Sequence, residues 1–337
     1  MVPDFTDVAL VSLGTTPGLR RVDEVFAQQL REAGVTCAVA QVQIGAAGAL
    51  RRHPAVTDLV ESLAARRTPR PSARIVVFST VTTALLQPHA SPYAVRFDSP
   101  AAVNRPGLAG VWQRRAERRA LAGARCLFPQ SESASRAAPG DAPRVVVPVP
   151  VEQLPQTIAR DIDVLAYAGD PKKRGLDMLC RAWAAVGGDA RLVVGGIEPD
   201  RARAWLARKG VAEPAGVEWI GRVSREQWLD TLQRARLFAN ASRWEDYGLS
   251  QLEALAAGAA LVTVASPGPY EALPIARRLE PRLVASDIAE ALVAGLALSD
   301  SELELYRGAA ATELAPYRPA AVQALVAERV VPALGLA

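Results

Sequence analysis

The order of hydrophobic and polar positions along the chain predicts alternating strands and helices. An apolar run, Val8 to Leu13, ends at a glycine-bearing turn, and the next segment repeats apolar residues at helical spacing up to Gly34. A strand pattern, VTCAVAQVQI, follows, and the three elements together form a βαβ unit, which implies a parallel sheet. Three more strand patterns continue the series, with an arginine-rich helix before the last: ARIVVFST, YAVRFDS and RCLFPQS.

A proline-rich segment interrupts this alternation. Residues 139–155, PGDAPRVVVPVPVEQLP, contain five prolines, which prevent a regular helix and indicate an interdomain connector. The alternation then restarts and continues to ALVTV at 260–264. We therefore predict an α/β protein of two doubly wound, Rossmann-like domains facing a central cleft. The predicted domains are 1–150 and 151–315, and a helical tail over 316–337 packs back across their boundary.

Composition places the protein among globular, non-membrane proteins. Half of the 337 residues are hydrophobic, but no apolar run reaches the roughly 18 to 20 residues of a spanning helix. The N-terminus lacks the basic region and apolar segment of a signal peptide, so we expect a cytoplasmic protein. The three cysteines stand singly, which fits a reducing compartment and gives no metal framework. No metal or other cofactor is expected.

Positive charge is concentrated in the N-terminal half. Residues 1–150 contain 18 arginines and 11 acidic residues, whereas the whole chain has a net charge of only +4. An anionic partner is therefore expected. Aromatic residues make up 5% of the chain and no RNA-recognition signature is present, so nucleic acid is not expected.

A basic turn opens the second half of the chain. In YAGDPKKRGLDML, Lys172, Lys173 and Arg174 come directly after a strand and before a helix that begins near Gly175. Cations at such a turn, together with the amides of a helix N-terminus, are suited to bind phosphate. The alternative is a solvated basic turn.

A second motif, SRWEDYGLSQLEALAAG, has acids on both sides of a predicted helix start. Glu245 lies in the loop ahead of a helix that begins near Gly248, and Glu253 lies inside that helix. The amides near Tyr247 to Leu249 are free to hold an anion between the two acids. A ligand with hydroxyls at both ends and phosphates in the middle, such as a nucleotide sugar, fits this layout. The alternative is two acids that only stabilise the helix dipole.

The stretch EDYGLSQLEALAAGAALVT resembles the E-x7-E signature of retaining glycosyltransferases of the GT-B fold, especially family 4, the glycosyl transferases group 1. Supporting matches follow in the same order over the C-terminal half: YAGDPKKRGLDML, ARLVVGG, VEWIGRVSREQW and ARLFANASRWED. The resemblance implies metal-independent transfer of a sugar from a nucleotide diphosphate sugar to an acceptor hydroxyl, with retention at the anomeric carbon. The acceptor would be a glycan, a lipid-linked molecule or a small molecule.

The resemblance also implies roles for individual residues. Glu253 would bind the ribose hydroxyls, Glu245 would contact the transferred sugar, and Lys173 and Arg174 would stabilise the leaving diphosphate. The other implied donor-binding residues are Lys172, Tyr247, Gly248, Leu249, Arg222, Val223 and, less directly, Gly14 in the first strand-helix turn. The family commonly has Gly-Arg where this chain has Gly169-Asp170, so another cation has to replace that arginine.

The N-terminal half matches the family loosely. Arg96 and Asp98 stand where the family often has a histidine, and we take both as acceptor-side candidates, although Asp98 also suits a turn cap. Gly14 either approaches the donor or only allows a tight turn. Both histidines, His53 and His89, are predicted to be surface or loop residues.

Four arginines of the predicted helix before RCLFPQS form one basic face by their spacing: Arg114, Arg115, Arg118 and Arg119. This face could hold an anionic acceptor or rest on an anionic membrane, which would make the protein peripheral at the inner membrane face. The ordinary interpretation is a solvated helix face.

Two rival functions stay open. A sugar-nucleotide epimerase would share the architecture, but it needs acids and a histidine that the N-terminal half scarcely offers. A nucleotide-sugar-binding protein without turnover is the second. A two-carboxylate hydrolase is disfavoured because Glu245 and Glu253 flank one helix start instead of facing each other across a substrate.

Overall fold

Two parallel sheets lie in two separate units of the chain. The computed structural model describes residues 5–45, 48, 54–88, 91–154, 159–186 and 188–336. Unit 1 comprises Met1–Val149 and Pro319–Ala337, and unit 2 comprises Pro150–Arg318. Among the helices in these described ranges, none is both long and apolar enough to cross a membrane.

Unit 1 contains a five-stranded parallel sheet in the order β2-β1-β3-β4-β5. Its strands are β1 (Phe5–Ser12), β2 (Cys37–Gln41), β3 (Ser72–Phe78), β4 (Tyr93–Phe97) and β5 (Cys126–Pro129). Its helices are α1 (Pro17–Glu32), α2 (Pro54–Arg67), α3 (Val81–Ala84), α4 (Ala101–Asn104), α5 (Val111–Ala122), α6 (Glu132–Ala137), α14 (Pro319–Leu325) and α15 (Val331–Leu334). The apolar residues of the tail, including Val322, Val326 and Val330, are buried in the same core cluster as Phe26 of α1.

Unit 2 contains a six-stranded parallel sheet in the order β11-β10-β9-β6-β7-β8. Its strands are β6 (Ile162–Tyr167), β7 (Leu192–Gly195), β8 (Val217–Gly221), β9 (Ala235–Asn240), β10 (Ala260–Val264) and β11 (Val284–Ala285). Its helices are α7 (Leu176–Val186), α8 (Pro199–Arg208), α9 (Arg225–Arg234), α10 (Leu249–Ala256), α11 (Ala272–Leu279), α12 (Ile288–Leu296) and α13 (Asp300–Glu313).

The strand order of unit 2 defines a switch point. The chain begins at β6, continues outward to β7 and β8, and then returns to pair β9 with the other edge of β6. The connections after β6 and β9 therefore leave the sheet in opposite directions, which opens a crevice at their carboxyl ends. The basic turn follows β6 and the loop with Glu245 follows β9, so both motifs lie at this crevice.

Candidate functional site

The turn after β6 is packed directly against the end of β9. Asp170 orders the turn, since its Oδ1 accepts the amides of Lys172 and Lys173, each at 3.0 Å. Gly175 has a φ of +61°, and a Cβ built there would lie 2.0 Å from the carbonyl oxygen of Ala241. Only glycine allows this approach, because the conformation and the contact both exclude a side chain. The close approach places the cations of the turn beside the loop after β9.

Arg243 ties the two loops together. Its amide donates to the carbonyl of Lys173 at 2.9 Å, and its guanidinium donates to both carboxylate oxygens of Asp177 in α7, at 2.9 and 2.7 Å. Burial raises the pKa of Asp177, but hydrogen bonds from Arg243 and its charge outweigh that effect and leave the pKa below its usual value. A buried, paired carboxylate of this kind fixes the relative position of the loops.

Glu245 lies in the interior of the crevice. It is 2% exposed and forms an ion pair with Arg174, and Ser242 Oγ lies 3.0 Å from its Oε1. The guanidinium of Arg174 also lies over the ring of Tyr167, the last residue of β6, at 5.6 Å. The carboxylate and the cation are therefore held in fixed positions from opposite loops.

Lys173 is paired with the residue that follows Glu245. Its Nζ donates to Asp246 Oδ2 at 2.7 Å, and Trp244 Nε1 donates to the other oxygen of that carboxylate at 2.8 Å. Burial lowers the pKa of Lys173, but the charges of Asp246 and Glu245 outweigh it and raise the pKa above its usual value. Lys173 is therefore a permanent cation of the site, whereas Lys172 is exposed.

The start of α10 supplies backbone donors. Gly248 precedes the helix with a φ of +88°, and a Cβ there would lie 2.8 Å from the ring of Tyr270. Asn240, the last residue of β9, donates to Tyr270 Oη at 3.1 Å and so fixes that ring. Among the described residues, no side chain caps the helix, so its first amides, from Leu249 onward, are available to an anion. Tyr247 is buried, and its carbonyl accepts the amide of Glu271.

Glu253 lies one turn further along α10 and is 8% exposed. Its Oε1 pairs with Nη2 of Arg225, the first residue of α9, at 2.6 Å. The loop just before Arg225 contains the predicted Arg222 and Val223. Arg222 is exposed, and its amide donates to Glu198 Oε1 at 3.3 Å, so that amide is already engaged.

Gly14 and Arg96 are accounted for by packing inside unit 1. A Cβ on Gly14, whose φ is +48°, would lie 2.2 Å from Gln41 Nε2. Arg96 is 2% exposed and pairs with Asp23 at 3.4 Å, with its guanidinium over the ring of Phe26. The buried ion pair gives Arg96 a structural role, and its role on the acceptor side stays a prediction. Asp98 is half-buried after β4.

Of the four arginines predicted to form a basic face on α5, three lie on that face. Arg114 is half-buried and donates to the carbonyls of Arg105 and Gly107, so it belongs to the turn before the helix. The other three are exposed: Arg115, Arg118 and Arg119. His53 and His89 lie outside the described residues.

The sequence of the second unit matches a known family. Residues 162–298 match the family model of the glycosyl transferases group 1. This region is similar to the glycosyl transferases group 1. The match includes the basic turn, Glu245, Glu253 and every strand of the unit 2 sheet, so the predicted resemblance to the glycosyl transferases group 1 and the predicted enzyme class are confirmed. No curated protein sequence matches the chain.

Solved structures of glycosyltransferases share the fold over nearly the whole chain. HepE from Anabaena, solved in complex with UDP and glucose, is 15% identical, covers 97% of this chain and 100% of its own, and has a TM-score of 0.67. Sucrose-phosphate synthase from Thermosynechococcus elongatus is 14% identical. The match covers 98% of this chain and 100% of the synthase chain, with a TM-score of 0.62. WaaG, a glycosyltransferase involved in lipopolysaccharide biosynthesis, is 15% identical. The match covers 94% of this chain and 99% of the WaaG chain, with a TM-score of 0.63. The predicted fold class, two parallel α/β domains of the GT-B type, is confirmed.

Several residues of the candidate site were not predicted from the sequence. They are Arg225, Asn240, Ser242, Arg243 and Asp246. Asn240 and Ser242 end the strand β9 or follow it, so the rule that placed the other site residues at strand ends could have found them. In the described part of the chain, no three His, Cys, Asp or Glu side chains are grouped so as to hold a metal ion.

Proposed function

We propose that the protein is a retaining, metal-independent glycosyltransferase that uses a nucleotide diphosphate sugar. One observation carries the proposal: two cations, Lys173 and Arg174, are held at the switch point of unit 2 by ion pairs with Asp246 and with the buried Glu245. Glu253 at the inner part of α10 would accept the ribose hydroxyls, and Glu245 would face the transferred sugar. HepE, a structural neighbour, was solved with UDP-glucose, which supports a donor of this class.

Both cations retain donors for a phosphate while they stay paired. A lysine ammonium has three N–H donors and a guanidinium has five, and the ion pairs with Asp246 and Glu245 use only part of them. The first amides of α10 add further donors at the positive end of the helix dipole. Together they would stabilise the charge that develops on the leaving diphosphate, which is the main electrostatic demand of this reaction.

The bond changes need no protein base. The bond between the anomeric carbon and the diphosphate oxygen breaks, and the acceptor oxygen attacks the same face of the sugar. The acceptor proton passes to an oxygen of the departing diphosphate, which leaves as a nucleoside diphosphate. Glu245 would stabilise the positive charge on the ring during this step without attacking it.

A thermal-shift screen tests the donor assignment. We expect UDP, GDP, ADP or dTDP, or one of their sugars, to raise the melting temperature, since a ligand that binds only the folded state stabilises it. Glu253→Ala should lose this shift. Glu218→Ala is the matched control, because it removes an exposed acid of β8 that pairs with Arg191. This variant should keep the thermal shift. The absence of a shift with every nucleotide would overturn the assignment.

Turnover separates the enzyme from a binding protein. Glu245→Ala should lower the rate of sugar transfer or donor hydrolysis by at least a hundredfold, while nucleotide affinity changes by less than about threefold, as expected for a transition-state contact. A wild-type protein that binds the donor but never cleaves it would support the non-catalytic alternative.

We also propose that α5 rests on an anionic membrane surface. Leu108, directly before α5, is 92% exposed, and Arg115, Arg118 and Arg119 are exposed along the helix. An apolar side chain beside several cations fits an interface of acidic lipid headgroups. Co-sedimentation with phosphatidylglycerol vesicles should decrease in the variant with all three arginines changed to glutamine. Equal sedimentation of both proteins would refute this contact.

A further inference from the structure

The ion pair between Arg225 and Glu253 takes no part in the proposed bond changes. Arg225 is the first residue of α9, and Glu253 lies in α10, so the pair joins two helices that leave the sheet after different strands. Arg225 directly follows the loop after β8. It therefore lies at the end of the site where Glu253 is proposed to bind the nucleotide. Its position therefore brings a cation to the nucleotide side of the site.

Burial makes this cation necessary for Glu253. A carboxylate that is 8% exposed is stable in its charged form only with a hydrogen-bonded partner. Arg225 Nη2 provides that partner at 2.6 Å from Oε1. A carboxylate has about four lone-pair sites. The pair therefore leaves acceptor sites on the carboxylate for two hydroxyls.

Arg225 also has a donor without a partner. Its Nε is buried, and it makes no hydrogen bond to any of the described residues. A buried N–H that is not hydrogen-bonded is unfavourable, so an acceptor atom of a ligand would be stabilised there. The oxygens of a ribose are acceptors of this kind. A purely structural tie between α9 and α10 gives no reason for the orphaned donor.

We propose that Arg225 is a positioning residue that holds Glu253 for the ribose hydroxyls and thereby sets the preference for nucleotides that carry them. The inference rests on the proposed function, because it takes Glu253 as the ribose-binding acid. Without Arg225, the Glu253 side chain is free to leave the orientation in which one carboxylate accepts both hydroxyls. The affinity for nucleotides with ribose hydroxyls then decreases, whereas the affinity for nucleotides without them does not.

The experiment compares two ligands in several proteins by calorimetry. UDP, GDP, ADP and dTDP are titrated into the wild type, and the ribonucleotide that binds most tightly is compared with its 2′,3′-dideoxy analogue. Tighter binding of dTDP, which has no 2′-hydroxyl, than of every ribonucleotide would refute the preference. We expect the wild type to prefer the hydroxylated nucleotide at least tenfold. In Arg225→Gln that preference should fall below threefold, because affinity for the hydroxylated nucleotide drops while affinity for the dideoxy analogue changes less than threefold. Arg225→Lys should recover part of the preference.

Arg203→Gln is the matched control. Like Arg225, Arg203 lies in the first half of a helix and pairs with an acid, Glu213, at 2.8 Å. Unlike Arg225, it is exposed on α8. The variant should keep the wild-type preference. If Arg225→Gln weakens both ligands equally, or keeps the preference, the positioning role is refuted even though the donor site stands. If the wild type binds none of the four nucleotides, the proposed function fails, and this inference with it.

Discussion

Gly175→Ala tests whether the close approach of the two loops builds the site. A Cβ at this position would lie 2.0 Å from the oxygen of Ala241, where ordinary contact begins at 3.4 Å, so the turn has to move by about 1.4 Å. Lys173 and Arg174 are part of that turn and would move with it. A displacement of about 1 Å at a reacting centre costs on the order of a hundredfold in rate. We therefore expect nucleotide affinity to fall at least tenfold and turnover further.

Gly210→Ala separates this contact from backbone strain. Gly210 follows α8 with a φ of +62°, almost the value of +61° at Gly175, but a Cβ there meets no atom within 4 Å. Its substitution should cost only the left-handed strain, about 1–2 kcal/mol. For a unit of this size that is a melting temperature lower by about 2–8 °C, with unchanged nucleotide affinity.

Differential scanning fluorimetry and calorimetric titration measure both quantities on the same samples. Gly175→Ala should melt below Gly210→Ala and bind nucleotide more weakly. If the two variants melt together and bind nucleotide equally well, the contact with Ala241 does not hold the site, and the reasoning is refuted.

Three further predictions concern charge. Lys173→Gln should weaken nucleotide binding at least tenfold by calorimetry, and Lys172→Gln less than threefold, because only Lys173 is held inside the site; equal effects would contradict this. Arg96→Met should lower the free energy of unfolding by about 3–5 kcal/mol, since it leaves Asp23 buried without its cation; a loss under 1 kcal/mol in urea unfolding would contradict the buried pair. Burial raises the pKa of Glu117 to about 7 from 4.5, so the folded state holds a proton that the unfolded state releases. Stability should therefore fall by about 2 kcal/mol as pH rises from 5 to 7, and Glu117→Gln should remove that slope.

Local pattern was enough to predict most of the fold. The predicted strand ALVTV has the bounds of β10, and the helix predicted to begin near Gly175 is α7, which begins at Leu176. Each has an unbroken apolar or amphipathic pattern between glycine or polar ends, and tertiary packing does not change such a pattern. Helix α12, IAEALVAGL, was not predicted, although its buried residues, Ile288, Ala291, Leu292 and Gly295, have helical spacing.

Long-range pairing limited the prediction of the site. Glu245 and Glu253 were found because one motif contains both. Their cations come from other elements: Arg174 from the turn after β6 and Arg225 from the start of α9. Arg225 follows a capping serine in an ordinary helix start, and nothing local distinguishes it from a solvated arginine. The partner of Arg96 in β4 was likewise not predicted, because Asp23 comes from α1.

The central claim is that this site breaks the bond between a sugar and a nucleoside diphosphate with retention. Proton NMR of the wild type with the nucleotide sugar that it binds tests the claim most directly, with water as acceptor. Early spectra should show the free sugar in the anomeric configuration of the donor, together with the nucleoside diphosphate, and Glu245→Ala should suppress both signals. A donor that stays intact while bound, or a sugar released first as the opposite anomer, would contradict the account.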